Sequence, residues 1–104
     1  MSIKIVKVTN SDRPSKRLCI VISYNEVEYN YHFGLNGGRT YLDHKDKNKR
    51  DAYRKRHYAN KKEKQLIDNN IPSPALFSYR LLWGDSSNLK KNIEDLQKVF
   101  NTVY

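Results

Sequence analysis

Three short stretches near the N-terminus alternate between apolar and polar positions. Successive side chains of a strand point to opposite faces, so this alternation predicts strands with one buried face. Residues 3–9, IKIVKVT, form the first. Residues 17–24, RLCIVISY, form the second, with Leu18, Ile20, Ile22 and Tyr24 on one face and Cys19, Val21 and Ser23 on the other. Residues 27–33, VEYNYHF, alternate most cleanly, with Val27, Tyr29, Tyr31 and Phe33 opposed to Glu28, Asn30 and His32. NSDRPS punctuates the first connection, and Asn25-Glu26 makes a tight second turn without the favoured glycine. The pattern predicts an antiparallel three-stranded meander over about residues 3–34. The loop GLNGGRT (34–40) then leads out of the sheet, with glycines for positive-φ positions. It lacks the Lys-Ser/Thr ending of a phosphate-binding P-loop.

From here the period changes to that of helices. Asp43 or Asp46 can cap a helix over about 45–60. Its apolar content is thin (Ala52, Tyr53, Tyr58, Ala59), so it packs by one narrow stripe. Tyr53 and His57, one turn apart, are expected to face the sheet together, with Lys47, Arg50, Arg54 and Lys61 along a solvent-facing side. KKEKQLIDNN either extends this helix or loosens into a linker, and IDNNIP breaks it. A core helix over 74–83 is well marked: Ser73 as N-cap, Pro74 at its first position and Gly84 at its end. A last helix over 88–101 carries Leu89, Ile93, Leu96 and Phe100 at spacings of four, three and four. The fold class expected is α+β, a single domain over residues 1–104: an N-terminal three-stranded antiparallel sheet packed by a basic helix and two C-terminal helices. Phe33, Phe77, Leu81, Trp83, Ile93, Leu96 and Phe100 are the expected core.

Charge adds a partner class to this picture. The net charge is +9, and residues 43–64 alone hold ten basic and four acidic side chains, a local +6. A local basic patch suits nucleic acid, anionic lipid or an acidic protein surface. Nucleic-acid binding needs phosphate-neutralising cations and often aromatic stacking surfaces. The expected contacts are Lys45, Lys47, Lys49, Arg50, Arg54, Lys55, Arg56, Lys61 and Lys62, with Tyr53 and Tyr58 interleaved and Arg39 extending the patch. They predict phosphate contact without base readout. The same features suit a structural protein that docks through exposed tyrosine and arginine.

Other chemistry finds less support. Cys19, the one cysteine, lies in an apolar strand pattern and is expected to be a buried, inert thiol. No Cys–His spacing marks it as a nucleophile. His44 between Asp43 and Asp46 fits no zinc pattern, and His32 is expected to be a plain surface histidine. No paired carboxylates offer an acid and a base. Neither catalysis, a metal nor a cofactor is expected. No apolar run could cross a bilayer or act as a signal peptide, so no membrane partner is expected and the chain reads as intracellular.

FGLNGGRTYLDHKDKNKRDAYRKRH together with ALFSYRLLWGDSSNLKKNIEDLQKVF resembles small basic proteins of uncharacterised function from large nucleocytoplasmic DNA viruses of protists and algae. The resemblance rests on Phe33-Gly34, His44-Lys45-Asp46, Arg56-His57, Leu82-Trp83 and Phe100, and departs between Asn60 and Pro72. It implies a viral protein of the host cytoplasm, viral factory or virion. It also implies that His44, Asp46, His57 and Trp83 bind helices together rather than meet a ligand. The function expected is therefore a non-catalytic viral protein that grips nucleic acid non-specifically or is packaged with the genome. The alternative is a minor capsid or other virion structural protein working through acidic partner surfaces.

Overall fold

The structure, a computed structural model, describes residues 2–104. β1 (Ile3–Asn10), β2 (Lys16–Tyr24) and β3 (Val27–Leu35) pair antiparallel in the order β1-β2-β3. Five helices follow: α1 (Tyr41–His44), α2 (Lys47–Tyr58), α3 (Lys61–Asp68), α4 (Pro74–Phe77) and α5 (Leu89–Val103), and α4 continues as a π-helical turn, Ser78–Leu82. The fold is α+β, as the hydrophobic pattern predicts. Asn25 and Glu26 both hold left-handed backbone, φ 54° and 64°, which matches a two-residue hairpin to the twist of its strands.

The face of the sheet carrying Ile3, Leu18, Ile20, Ile22 and Phe33 is buried with Leu76, Phe77, Leu81 and Leu82 and with Leu96 and Phe100 of α5. Five of the seven expected core residues are fully buried. Trp83 and Ile93 instead pack at the margin of this cluster. The C-terminal helix also fastens to the first strand. Gln97 accepts from the Ile5 N–H at 2.7 Å and donates to the Ile3 carbonyl at 2.9 Å, so one side-chain amide pairs with the strand edge as a neighbouring strand would.

The basic segment is divided more finely than its periodicity predicts. α1 opens with a capping box in which Thr40 N–H donates to Asp43 at 2.8 Å. Lys45 then turns left-handed (φ 56°), and Asp46 caps α2 by accepting from the Asn48 and Lys49 N–H groups. The expected helix start at 45 therefore moves to Lys47; Asp46 is its N-cap, whereas Asp43 lies inside α1 as the N3 partner of the N-cap Thr40. Asn60 caps α3 through the Lys62 and Glu63 N–H groups, so residues 61–68 are a separate helix rather than an extension or a linker. Asn70 (φ 51°) ends it, with the Ile71 N–H donating back to the Leu66 carbonyl.

The turn after the π-helical segment is held from below by a buried asparagine. Asn92 on α5 donates to the carbonyls of Leu81 and Ser86 and accepts from the Ser86 N–H. Gly84 lies so close that a Cβ there would sit 2.2 Å from the Arg80 carbonyl oxygen and 2.8 Å from Asn92. This fixed turn is what α2 packs against.

Candidate nucleic-acid interface

At 3.6 residues per turn, Arg50, Tyr53, Arg54 and His57 fall on one side of α2. Tyr53 stacks on Trp83 with centroids 4.1 Å apart and planes within 8°, and His57 lies 4.0 Å beyond it. On the other flank of Trp83 lies His44, at 5.4 Å. Tyr53 and His57 thus turn inward together, as their spacing predicts, and the surface they meet is led by Trp83. Burial pushes the Tyr53 hydroxyl up to about 12, and the charge of Glu63 adds to the shift. His57 Nδ1 is 2.7 Å from that Glu63 carboxylate. His44 Nδ1 accepts from the Asp46 N–H at 3.0 Å, which leaves the proton on Nε2. Nε2 is buried without a conventional acceptor among the described residues, in a pocket walled by the Trp83 and Tyr41 rings. His44, Asp46 and Trp83 therefore join α1, α2 and the 83–86 turn, and His57 joins α2 to α3.

Arg50 and Arg54 depart from the expected solvent-facing stripe. Arg54 donates from Nε to the Trp83 carbonyl at 2.8 Å and from Nη2 to Asp85 at 3.0 Å, with its guanidinium 5.5 Å from the Tyr79 ring. Arg50 donates to the Asp85 carbonyl and to the Asp51 carboxylate, and lies over the Tyr41 ring at 4.8 Å. The physical reason is the end of the π-helical turn. It presents carbonyls with no partner inside the helix, and a guanidinium satisfies them with fixed, charged donors. A pattern of charges along α2 carries no record of carbonyls thirty residues away.

Of the eight remaining cations of the segment, Lys64 is exposed and pairs with Asp68 at 3.2 Å, and the other seven stay outside unpaired. Lys45, Lys47 and Lys49 lie at the start of α2, Lys55 and Arg56 further along it, and Lys61 and Lys62 on the first turn of α3. All seven are exposed and make no ion pair among the described residues. Lys49, Ala52 and Arg56 follow one line on the outer face of α2, with Lys55 beside it. Arg39 is exposed before α1. The acids of the same segment are all occupied. Asp43 takes a bidentate pair from Arg17 at 2.7 and 2.9 Å, which holds its carboxyl down at about 2. Asp46 caps α2, Asp51 meets Arg50, and Glu63 meets His57. The outer surface thus carries six lysines and Arg56, and its acids, including the exposed Asp51, are each paired within the fold.

Tyr58, the second aromatic expected at this surface, is half-buried, with its ring 6.3 Å from that of Tyr79. Its hydroxyl donates to Asp68, a bond that raises the phenol above its ordinary range and lowers the carboxyl. Tyr79 was not among the expected contacts. It lies on the apolar-rich 74–83 segment, where the pattern gives it no role. Cys19 and His32 also depart from expectation. They are directly opposed on β2 and β3, with Sγ 3.9 Å from Nε2, and His32 Nδ1 bonds Ser11 Oγ at 2.7 Å. His32 has only 13% of its side chain exposed, and Cys19 is half-buried rather than enclosed. The pairing follows from the hairpin register, which the two-residue turn already specifies. Among the described residues no three His, Cys, Asp or Glu side chains gather as for a metal ion, and no helix is long and apolar enough to cross a membrane.

Fold and surface together define a small α+β protein whose basic helix is latched to the 83–86 turn and bares cations outward. The chain belongs to a family of unknown function, DUF5754, whose model matches residues 6–57, half of the chain. The matched span runs from β1 to the last turn of α2, and so contains both the sheet and the basic helix. No curated protein and no solved structure matches the chain.

Proposed function

We propose that this protein binds nucleic acid through the phosphate backbone, without catalysis, using the outward cations of α2 and the first turn of α3. The observation that carries this reading is the sorting of charge over residues 43–64. Each acid there is paired with a group of the fold, Asp51 while still 63% exposed, and seven cations are left facing solvent without an ion pair among the described residues. Unpaired, hydrated lysines on a rigid helix neutralise phosphates and release counterions, which makes affinity fall with salt. The resemblance to small basic proteins of large DNA viruses supports a place beside a viral genome, in the viral factory or packaged in the virion.

Fluorescence anisotropy against labelled DNA and RNA across a salt series tests the reading. Engagement of four or five phosphates gives a log–log slope of about −4. The variant K49Q/K55Q/R56Q is expected to reduce that slope by about 2 to 3. The control K4Q/K90Q/K98Q removes the same charge from exposed positions elsewhere, and is expected to change the slope by less than about 1. No binding at low salt, or equal losses in the two variants, overturns the assignment.

A further inference from the structure

The chemistry of the surface changes where α2 ends. A cleft of about 400 Å³ opens there, lined by Arg54, Lys55, Tyr58, Ala59 and Tyr79. The lining holds the free cation Lys55, the latched Arg54, two aromatic rings and one small apolar side chain, and no carboxylate. The rings of Tyr58 and Tyr79 are tilted by 35° with centroids 6.3 Å apart, so they form an open wedge rather than a closed stack. Both rings are held: the Tyr58 hydroxyl is tied to Asp68 with Lys64 Nζ 5.1 Å from its ring, and the Arg54 guanidinium lies 5.5 Å from the Tyr79 ring. Lys55 stands both on this rim and beside the outward line of Lys49 and Arg56. A chain gripped by phosphates along that line would reach the wedge at its next step.

We infer that this cleft receives an unpaired nucleobase, and that the protein prefers single-stranded nucleic acid to duplex. The inference rests on the phosphate-binding reading above and adds the form of the polymer to it. Aromatic rings stack any base through its π-face, and neighbouring cations hold the backbone beside it. In a duplex the bases are stacked on one another and cannot enter. The preference is therefore for strandedness and not for sequence, since the lining shows no donor and acceptor set fixed for one base.

The test compares an oligonucleotide as a single strand and as a duplex of equal length, by anisotropy at one salt concentration. Single strand is expected to bind about 10-fold more tightly, and Tyr79→Leu to remove most of that difference while duplex affinity stays within about 2-fold. Tyr79 also touches Arg54, so a second pair of variants avoids the packed region. Ala59→Glu puts a carboxylate into the cleft, and Ala52→Glu puts the same charge on the outer face; both alanines are exposed. Ala59→Glu is expected to weaken single-strand binding about 10-fold and duplex binding much less, whereas Ala52→Glu weakens both alike. Equal affinity for the two forms, with both glutamates acting alike, overturns the cleft and leaves phosphate binding standing. Absence of binding to either form at low salt overturns both.

Discussion

Replacing Arg54 by methionine keeps an unbranched side chain over Tyr79 and removes the charge and its donors. Three contacts go. The first is the Nε–H bond to the Trp83 carbonyl at 2.8 Å, from a side chain only 22% exposed. A charged donor of this kind contributes about 1.5–3 kcal/mol, and its loss also strands a helix-end carbonyl. The ion pair with Asp85 adds little, because that carboxylate is 86% exposed; exposed pairs contribute about 0.2–1 kcal/mol. The guanidinium at 5.5 Å from the Tyr79 ring adds about 0.5 kcal/mol. Methionine recovers part of the apolar contact, so the expected loss is about 2 kcal/mol, or a Tm lower by roughly 10 °C for a chain of this size. Lys55→Met, one residue on, removes the same charge from a position with no internal partner and is expected to cost less than about 0.5 kcal/mol. Urea unfolding followed by the fluorescence of Trp83, the single tryptophan, reads both. Far-UV circular dichroism checks that the probe reports global unfolding. Equal midpoints for the two variants would show that the arginine latch is not what holds α2 in place.

Further substitutions probe other parts of the frame. Glu26 sits at φ 64°, where only glycine is free of strain, so Glu26→Gly is expected to raise stability by about 0.5–1 kcal/mol in urea unfolding. Asn92→Leu strands the Leu81 and Ser86 carbonyls and the Ser86 N–H, and is expected to lower stability by about 3 kcal/mol and to loosen the 83–86 turn, read as faster amide hydrogen exchange at Ser86. Asp43 is held at about 2 against an ordinary 3.8, so the folded state disfavours its proton. Its contribution is complete above about pH 4 and fades as pH falls toward 2. With the side chain about a third exposed, solvent screening reduces this to about 1 kcal/mol, and Arg17→Met is expected to flatten that limb of the stability–pH curve.

The sheet was legible because a half-buried strand writes its period directly into the sequence. Leu18, Ile20, Ile22 and Phe33 alternate, and each is buried where alternation puts it. Ser73, Pro74 and Gly84 marked α4 and the turn after it, because caps and steric exclusions are local. What the pattern missed is non-local. The left-handed Lys45 splits the basic segment, although lysine has no preference for that conformation; the capping pairs Thr40/Asp43 and Asp46/Asn48 on either side impose it. Arg50 and Arg54 read as two more solvent cations until the 83–86 turn arrives beside them. Tyr79 was given no role by the pattern, and only the meeting of α2 with the π-helical turn places it beside Tyr58.

The same meeting changes what the charge count means. The side chains of Arg17, Arg50, Arg54 and Arg80 donate to groups of the fold, whereas those of Arg56 and of the six lysines at 45, 47, 49, 55, 61 and 62 donate to none among the described residues. For the four latched arginines the reason lies in the side chain. A planar, weakly hydrated guanidinium satisfies carbonyls and carboxylates at fixed angles, while an ammonium keeps its water and its freedom. The net +9 therefore governs long-range attraction, and contact is governed by the smaller set that remains unpaired. The two are separable, because the slope of log K against log salt counts phosphates in contact. Seven free cations in the segment, with the exposed Arg39 beside them, set a limit of about −7 for duplex DNA. A shallower slope agrees with the sorting seen in the fold. A steeper one would mean that Arg50 and Arg54 leave their carbonyls for phosphate, so that binding loosens α2 from the 83–86 turn. Trp83 fluorescence would then shift on titration with nucleic acid, and the latch would be a switch rather than a fixed support.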